Sequence, residues 1–281
     1  MTKYIILFLF SCSLLRAQAA VPDTLLNKWD PDGVLALNLS QISLSNWSQG
    51  GENAITWTFI GNFGYNFIGT SWTSLNNLKI TYGKSKLGTQ EFRVNDNELY
   101  LEDVIVKKIG WPVDPFFSNT VRTAISAGYK YEDSTKTKVA DFFDPGYVTQ
   151  AIGFTYMRSA AVNTRLGIAL QETFAKNFLQ YSDDPETLDE VEDFKLETGL
   201  ESVTNVSLTI DDNLLYKSLL RLFTRFDALD VWDVRFDNTV TAQINKYINV
   251  NLNVLIIYDK SQTAKTQLKE ALQLGVVYTL F

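Results

Sequence analysis

The chain has 281 residues, of which 13% are aromatic, with one cysteine (Cys12) and no histidine. The missing histidine removes the usual general base and the usual metal ligand, and a single cysteine excludes an internal disulfide. Residues 1–19 carry two of the 25 basic side chains, so the rest of the chain holds 23 basic against 32 acidic groups, a net charge of −9 that argues against nucleic acid as a partner.

Residues 1–19 predict a secretory signal peptide. A basic residue, Lys3, precedes a short apolar run over 4–10, and the small residues at 17–19 form an Ala-Gln-Ala cleavage site. The apolar run is too short to span a membrane as a helix. We therefore expect export, with residues 20–32 as a polar leader in the periplasm and residues 33–281 as the folded domain.

From Gly33 onward, apolar and polar residues alternate in segments typical of β-strands, because successive side chains of a strand point to opposite faces. The twelve predicted strands are Gly33 to Leu44, Ile55 to Phe67, Trp72 to Gly83, Leu99 to Ile105, Val121 to Tyr131, Val148 to Tyr156, Val162 to Gln171, Phe194 to Ile210, Leu214 to Phe226, Trp232 to Ile244, Val250 to Asp259 and Leu272 to Leu280.

Several irregular segments interrupt this pattern. A change of parity in the first strand predicts a β-bulge near Ser40-Gln41. Residues 84–97 are polar and predict a long loop, and residues 111–115 contain two prolines and predict a turn, since proline is excluded from inner strands. Residues 132–146 and the acidic segment 175–193 predict further loops.

The longest predicted strands, 194–210 and 214–226, are joined by only three polar residues, and one face of this hairpin is apolar while the other carries charges. Long strands of this kind with a minimal turn are typical of membrane β-barrels. The sequence therefore predicts an all-β fold, a transmembrane antiparallel β-barrel of about twelve strands. We expect it in the outer membrane of a Gram-negative cell, in contact with outer-membrane lipid and lipopolysaccharide.

The charged face of the strands is expected to line the lumen. The predicted lumen-facing charged residues are Lys79, Arg122, Arg165, Glu197, Glu201, Lys217, Arg221, Arg225, Arg235, Asp237 and Lys269. Strand pairing across the 211–213 turn predicts that Glu201 is paired with Arg221 or Arg225. Because both signs are present, two interpretations stay open: ion pairs that partly fill a narrow lumen, or a charge-selective pore lining.

The segment from Asn38 to Ala54, which reads N-L-S-Q-I-S-L-S-N-W-S-Q-G-G-E-N-A, resembles the N-terminal signature of an outer-membrane β-barrel family of Bacteroidota filed as a domain of unknown function. The resemblance implies an outer-membrane location and a barrel over nearly the whole exported chain. It implies no catalytic residues. Six residues of this segment form a distinctive loop that serves either as a tight, aromatic-anchored turn or as a binding element: Asn46, Trp47, Gly50, Gly51, Glu52 and Asn53.

Two functions remain open from the sequence: a channel or small-solute porin, and a non-conducting barrel that acts as a structural or interaction subunit of a surface or secretion assembly. We expect neither an enzyme nor a cofactor, because no motif places a nucleophile beside a base. The acidic loop 183–193 lacks the spacing and the turn glycine of a calcium loop, so we expect a solvated surface loop and no metal site there.

Overall fold

The computed structural model describes residues 26–46, 48, 51–132, 135–157, 159, 161–183, 191–260 and 263–281. The predicted signal peptide, Trp47, Gly50 and residues 184–190 of the acidic loop lie outside the described residues. Among the described residues, no helix has the length and apolar character needed to cross a membrane.

The described chain contains fourteen β-strands and one 3-10 helix, Leu179–Tyr181. The strands are β1 (Trp29–Ile42), β2 (Ala54–Ile68), β3 (Trp72–Leu87), β4 (Arg93–Lys107), β5 (Asp114–Thr123), β6 (Gly128–Glu132), β7 (Thr135–Ala140), β8 (Gly146–Tyr156), β9 (Val162–Phe174), β10 (Phe194–Asp211), β11 (Leu214–Arg225), β12 (Asp233–Gln243), β13 (Ile248–Asp259) and β14 (Thr263–Thr279).

Twelve of these strands form a closed antiparallel barrel in the order β1-β14-β13-β12-β11-β10-β9-β8-β5-β4-β3-β2. The first and last strands close the barrel through pairs that run from Val34↔Thr279 to Leu39↔Leu274. Closure leaves no open sheet edge, so the backbone polar groups of the strands bond to neighbouring strands. The predicted barrel of about twelve strands is confirmed.

The alternation along each strand separates an apolar outer surface from a polar lumen. On β9, the outward side chains Leu166 and Ile168 are 59% and 54% exposed, whereas the lumen-facing Ala169 is fully buried. Directly paired residues share a face, so the orientation of β9 carries over to its neighbours around the barrel. The outer surface of the barrel is thus mainly apolar, and the lumen holds the buried polar side chains together with a small apolar cluster.

The fifth predicted strand is divided in the structure. Only Val121 to Thr123 belong to the barrel strand β5, and residues 128–132 form β6, which pairs with β7 in a separate two-stranded sheet. The prediction of one strand through Tyr131 is therefore wrong. The alternation at 128–131 belongs to a small hairpin in the connection between β5 and β8, and residues 125–127 lie outside it.

Three predicted irregularities are absent or shifted. Residues 84–97 are mostly strand, because β3 continues to Leu87 and β4 begins at Arg93, which leaves a five-residue connection. Pro115 lies in β5 opposite Phe154, at the second position of the strand, where a missing N–H is tolerated. The pairing of β1 with β2 is continuous to Ile42, so no bulge occurs at Ser40-Gln41, and β1 begins at Trp29, inside the expected leader.

The two ends of the barrel differ. At the terminus end, where β1 begins and β14 ends, the connections are short, such as 69–71 and 212–213. At the opposite end, called here the loop end, lie the long connections 43–53, 124–145 and 175–193. The loop end also includes the β6–β7 hairpin and the 3-10 helix.

Candidate functional site in the barrel lumen

All eleven predicted lumen residues lie at inward positions of their strands. The pairs Val203↔Arg221, Arg221↔Arg235 and Val203↔Arg165 place the charges of four neighbouring strands on one face. The structure adds charged residues that the sequence interpretation had not assigned to the lumen. These are Asp96, Glu98, Glu102, Lys195, Asp233 and Asp259.

One carboxylate connects opposite sides of the barrel. Glu98 on β4 accepts hydrogen bonds from Nη2 of Arg235 on β12, at 2.9 Å to Oε1 and 3.2 Å to Oε2. In the strand order, β12 lies six strands from β4 in either direction, so this contact spans the diameter. Nε of Arg122 on β5 lies 3.1 Å from the same Oε1. Two guanidinium groups therefore share a single carboxylate in the lumen.

A second group of ion pairs lies along β9, β10 and β11. Arg221 donates from Nε to Oε1 of Glu201 at 2.7 Å and from Nη2 to Oε1 of Gln171 at 2.8 Å. The predicted pairing of Glu201 with one of two arginines is thus resolved in favour of Arg221. Arg225 instead contacts Glu197, with Nη1 3.3 Å from Oε1.

Further contacts cross the lumen at other heights. Arg165 on β9 pairs with Glu102 on β4, three strands away. Lys269 on β14 pairs with Asp96 on β4, four strands away.

Towards β12, Nζ of Lys79 lies 3.8 Å from Oδ2 of Asp237, whose Oδ1 accepts a 2.7 Å hydrogen bond from Nδ2 of Asn253. Lys217 is the exception among the predicted cations. Its side chain is exposed and forms no ion pair with the residues that the structure describes.

Apolar side chains fill the space beside the ion pairs. Phe116 and Phe223 are buried in one cluster with Val104, Val106, Ala151 and Ala169. Nearby strands carry glycine beside these rings: a Cβ on Gly167 would lie 3.2 Å from Cζ of Phe116, and one on Gly199 would lie 3.0 Å from Cε2 of Phe223. These glycines leave the room that the two rings occupy.

Two cavities lie at the ends of the packed region. The loop-end cavity has a volume of about 280 Å³ and is lined by arginines, tyrosines and carboxylates, among them Arg122, Arg235, Tyr147 and Asp233. The terminus-end cavity, of about 340 Å³, is lined by the β10–β11 and β12–β13 turns and the end of β14. Glu98, Arg165 and Arg235, which take part in the ion pairs across the lumen, also line the loop-end cavity.

The loop-end connections are held by buried polar side chains. Asp144 accepts hydrogen bonds from the backbone N–H groups of Lys176 and Asn177, at 2.9 and 3.0 Å, and from the Asn177 amide at 2.7 Å. Burial acts to raise the pKa of the Asp144 carboxyl, but these hydrogen bonds outweigh it and hold the pKa below its usual range. Asp144 therefore fastens the 175–183 segment to the 124–145 connection as a carboxylate.

The distinctive loop that follows β1 is described only in part. Oδ1 of Asn53 accepts a 2.6 Å hydrogen bond from the N–H of Leu44, and the Asn53 carbonyl accepts one of 2.7 Å from the N–H of Gly88. Asn46 and Gly51 have positive φ angles of 57° and 110°, which fits a tight turn. Glu52 lies close to Gly88. These contacts connect the loop to the β3–β4 connection.

Alternation does not predict the inward acids of β4, because Asp96 falls in the predicted 84–97 loop and Glu102 and Asp103 put an acid on each face of the predicted strand from Leu99 to Ile105. The signal was present in the even positions from Asp96 to Val106, which alternate with the apolar pair Leu99 and Leu101. Within the described ranges, no group of three or more Cys, Asp or Glu side chains is placed to hold a metal ion.

Comparisons with known proteins give one sequence match. A family described as "Protein of unknown function (DUF3078)" matches residues 39–129, which overlaps the segment whose resemblance to a domain of unknown function is described above. The match covers less than half of the chain, so the Bacteroidota origin and the coverage expected from the resemblance stay predictions. A comparison with curated proteins found no match.

Solved barrels with the same general architecture are distant. The translocator domain of the autotransporter NalP from Neisseria meningitidis is 10% identical, with a TM-score of 0.36 over 88% of this chain and 86% of that chain. An outer membrane channel from Pseudomonas putida F1 is 10% identical, with a TM-score of 0.39 over 89% and 94%. The β domain of a Bordetella autotransporter is 11% identical, with a TM-score of 0.33 over 88% and 98%. The barrel assignment accordingly comes from the strand pairing of this chain itself.

Proposed function

We propose that this chain is an outer-membrane β-barrel whose lumen is closed by a network of transverse ion pairs, and that it acts as a non-conducting barrel. Its outward side chains are large and apolar, and the strands are closed, as a lipid environment requires. Trp57 and Trp232 lie near the loop end, and Trp72 and Trp111 near the terminus end, as expected for two interfacial aromatic belts. In this proposal the loop end faces the outside and both termini face the periplasm.

The observation that carries the closed-lumen proposal is the contact between Glu98 and Arg235. A pore lining holds its charges against the wall, where they leave the centre of the lumen to water and solute. Here a hydrogen-bonded pair joins strands on opposite sides of the barrel, and Arg165–Glu102 and Lys269–Asp96 add further crossings. Outer-membrane lipid and lipopolysaccharide are the proposed surroundings, and no catalytic role is part of the proposal.

A channel or small-solute porin is the second candidate. The polar cavities at both ends favour it, since separation of the central ion pairs would join them. Conduction then requires the network to open.

Single-channel recording in planar bilayers separates the two candidates. We expect no steady conductance from the wild type. The double variant Glu98→Ala/Arg235→Ala removes both partners of the contact across the diameter and leaves Arg122 without its carboxylate, and we expect it to show openings. Glu132→Ala/Lys130→Ala, in the exposed β6–β7 hairpin, is the matched ion-pair control and should stay silent. Steady conductance steps from the wild type would refute the closed lumen and favour the channel.

A further inference from the structure

Two arginines that line the loop-end cavity converge on one carboxylate. Arg122 and Arg235 both approach Oε1 of Glu98, at 3.1 and 2.9 Å, so two positive charges face one negative charge. The nearby Arg221 and Glu201 neutralise each other. Next to Glu98, two guanidinium groups therefore face one carboxylate, although the cavity lining as a whole has four arginines and four carboxylates.

Arg122 also has unused hydrogen-bond donors. A guanidinium has five N–H donors. Nε of Arg122 is buried against Oε1 of Glu98 as an ion pair without hydrogen-bond geometry, and within the described part of the chain the terminal nitrogens of Arg122 donate no hydrogen bond. The Arg122 guanidinium packs on the Tyr100 ring, with Cζ of Arg122 4.9 Å from the centre of the ring. Arg235 uses only Nη2, on Glu98. Two oriented guanidinium groups with free donors thus line the same cavity.

The rest of the cavity limits what can bind there. Tyr147 and Tyr181 supply aromatic surface with polar hydroxyls, and the carboxylates of Asp233 and Asp259 also line the cavity. Negative charge on these two groups disfavours a ligand with several negative charges. A volume of about 280 Å³ admits a small organic molecule.

We propose that the loop-end cavity binds a small monocarboxylate, whose two oxygens accept hydrogen bonds from Arg122 and Arg235. The planar fork of a guanidinium matches a carboxylate in two parallel hydrogen bonds, which is stronger and more selective than a single contact. This binding role rests on the proposed function, in which the loop end faces the outside and gives solutes access to the cavity. The closed barrel then binds a solute without conducting it.

The test is isothermal titration calorimetry on the full exported chain in detergent at fixed ionic strength, with benzoate as the probe. Benzamide has nearly the same shape but no charge, and we expect it to bind at least about tenfold more weakly, because charge-assisted hydrogen bonds are lost. Inorganic phosphate should bind more weakly than benzoate. Equal binding of benzamide or of phosphate would overturn the proposed ligand class.

Variants locate the site. Arg122→Gln should weaken benzoate binding about tenfold or more, and Arg122→Lys, which keeps the charge but loses the fork, should be intermediate. Arg225→Gln removes an arginine at the same end of the barrel that does not line the cavity, and should leave binding unchanged. Retained heat-modifiable gel migration shows that each variant is folded. If Arg122→Gln does not fold, the affinity of Arg122→Lys for benzoate tests the site instead.

Equal losses in Arg122→Gln and Arg225→Gln, or none in folded Arg122→Gln or Arg122→Lys, would refute the site. Conductance measured separately on the wild type tests the closed lumen, so failure of that proposal is distinguishable from failure of this one.

Discussion

The partner of the Glu201 carboxylate determines how much unfolding free energy each substitution in the ion pair costs. Its side chain is 3% exposed, against 18% for Arg221, and Arg225 is occupied by Glu197. Arg221→Gln therefore leaves a buried carboxylate without a cation, which costs about 3 to 5 kcal/mol of unfolding free energy. Glu201→Gln should cost less, because Arg221 keeps its hydrogen bond to Gln171.

Urea unfolding in liposomes, followed by tryptophan fluorescence, measures this order. Arg225→Gln is the control: its side chain is 35% exposed, and we expect a loss of only about 0 to 1 kcal/mol. A larger loss for Glu201→Gln than for Arg221→Gln would mean that Arg225 moves to replace Arg221.

Asp144 is expected to make the stability of the folded protein depend on pH. Its pKa is lower in the folded protein than in the unfolded chain, so its contribution to stability is present above the unfolded value of about 3.9 and is lost as the pH falls through the folded value. We expect the difference in unfolding temperature between wild type and Asp144→Asn to be large near neutral pH and to vanish in strong acid. A nonzero difference that is independent of pH would contradict the lowered pKa of Asp144, because the charge of the carboxylate would then contribute nothing to stability.

At the scale of single strands, the outer face of β10 can be tested against its lumen face. Leu200 points outward beside Ile168, so Leu200→Arg places a charge in lipid and should cost about 2 to 4 kcal/mol in unfolding free energy. Thr56→Arg points into the lumen near the loop end and should cost less. Equal losses in the same liposome assay would contradict the assigned facing.

The strands also show what alternation predicts and where it fails. Strands β8 to β13 follow the sequence closely, because each has apolar residues on one face over most of its length, whereas β14 begins at Thr263, nine residues before the predicted start at Leu272. The β3–β4 hairpin extends beyond its apolar part into residues 84–97, where both faces are polar and the pattern has no contrast. Alternation also gives no information on which sheet a strand joins, so residues 128–131 were placed in the barrel.

For the lumen, the sequence predicts which charges face inward but not how they pair. Pairing between neighbouring strands follows from the register, as for Glu201 and Arg221. The contact between Glu98 and Arg235 joins residues 137 positions apart on opposite strands, and it depends on the closure and tilt of the whole barrel.

The whole molecule depends on the seam between β1 and β14. Deleting residues 276–281 removes four of the six cross-strand pairs of that seam, from Val34↔Thr279 to Leu37↔Val276, and leaves an open sheet edge. Each unsatisfied backbone group in lipid costs several kcal/mol, so we expect no outer-membrane insertion and degradation in the periplasm. Membrane fractionation and protease shaving measure this.

Deleting residues 184–190, between β9 and β10, is the matched control, and we expect it to insert normally because no barrel strand is shortened. Normal insertion of the C-terminal truncation would contradict a barrel closed by β14.

The contact across the diameter also has a mechanical consequence. A closed sheet flattens into an ellipse when its opposite sides approach or separate, and lateral pressure in a bilayer favours such deformations. Glu98 and Arg235 act against it, because β4 and β12 cannot move apart without breaking two hydrogen bonds. A carboxylate that binds the free donors of Arg122 and Arg235 leaves this brace in place and adds a link between β5 and β12, so the surrounding lipid would experience a filled cavity as a stiffer barrel.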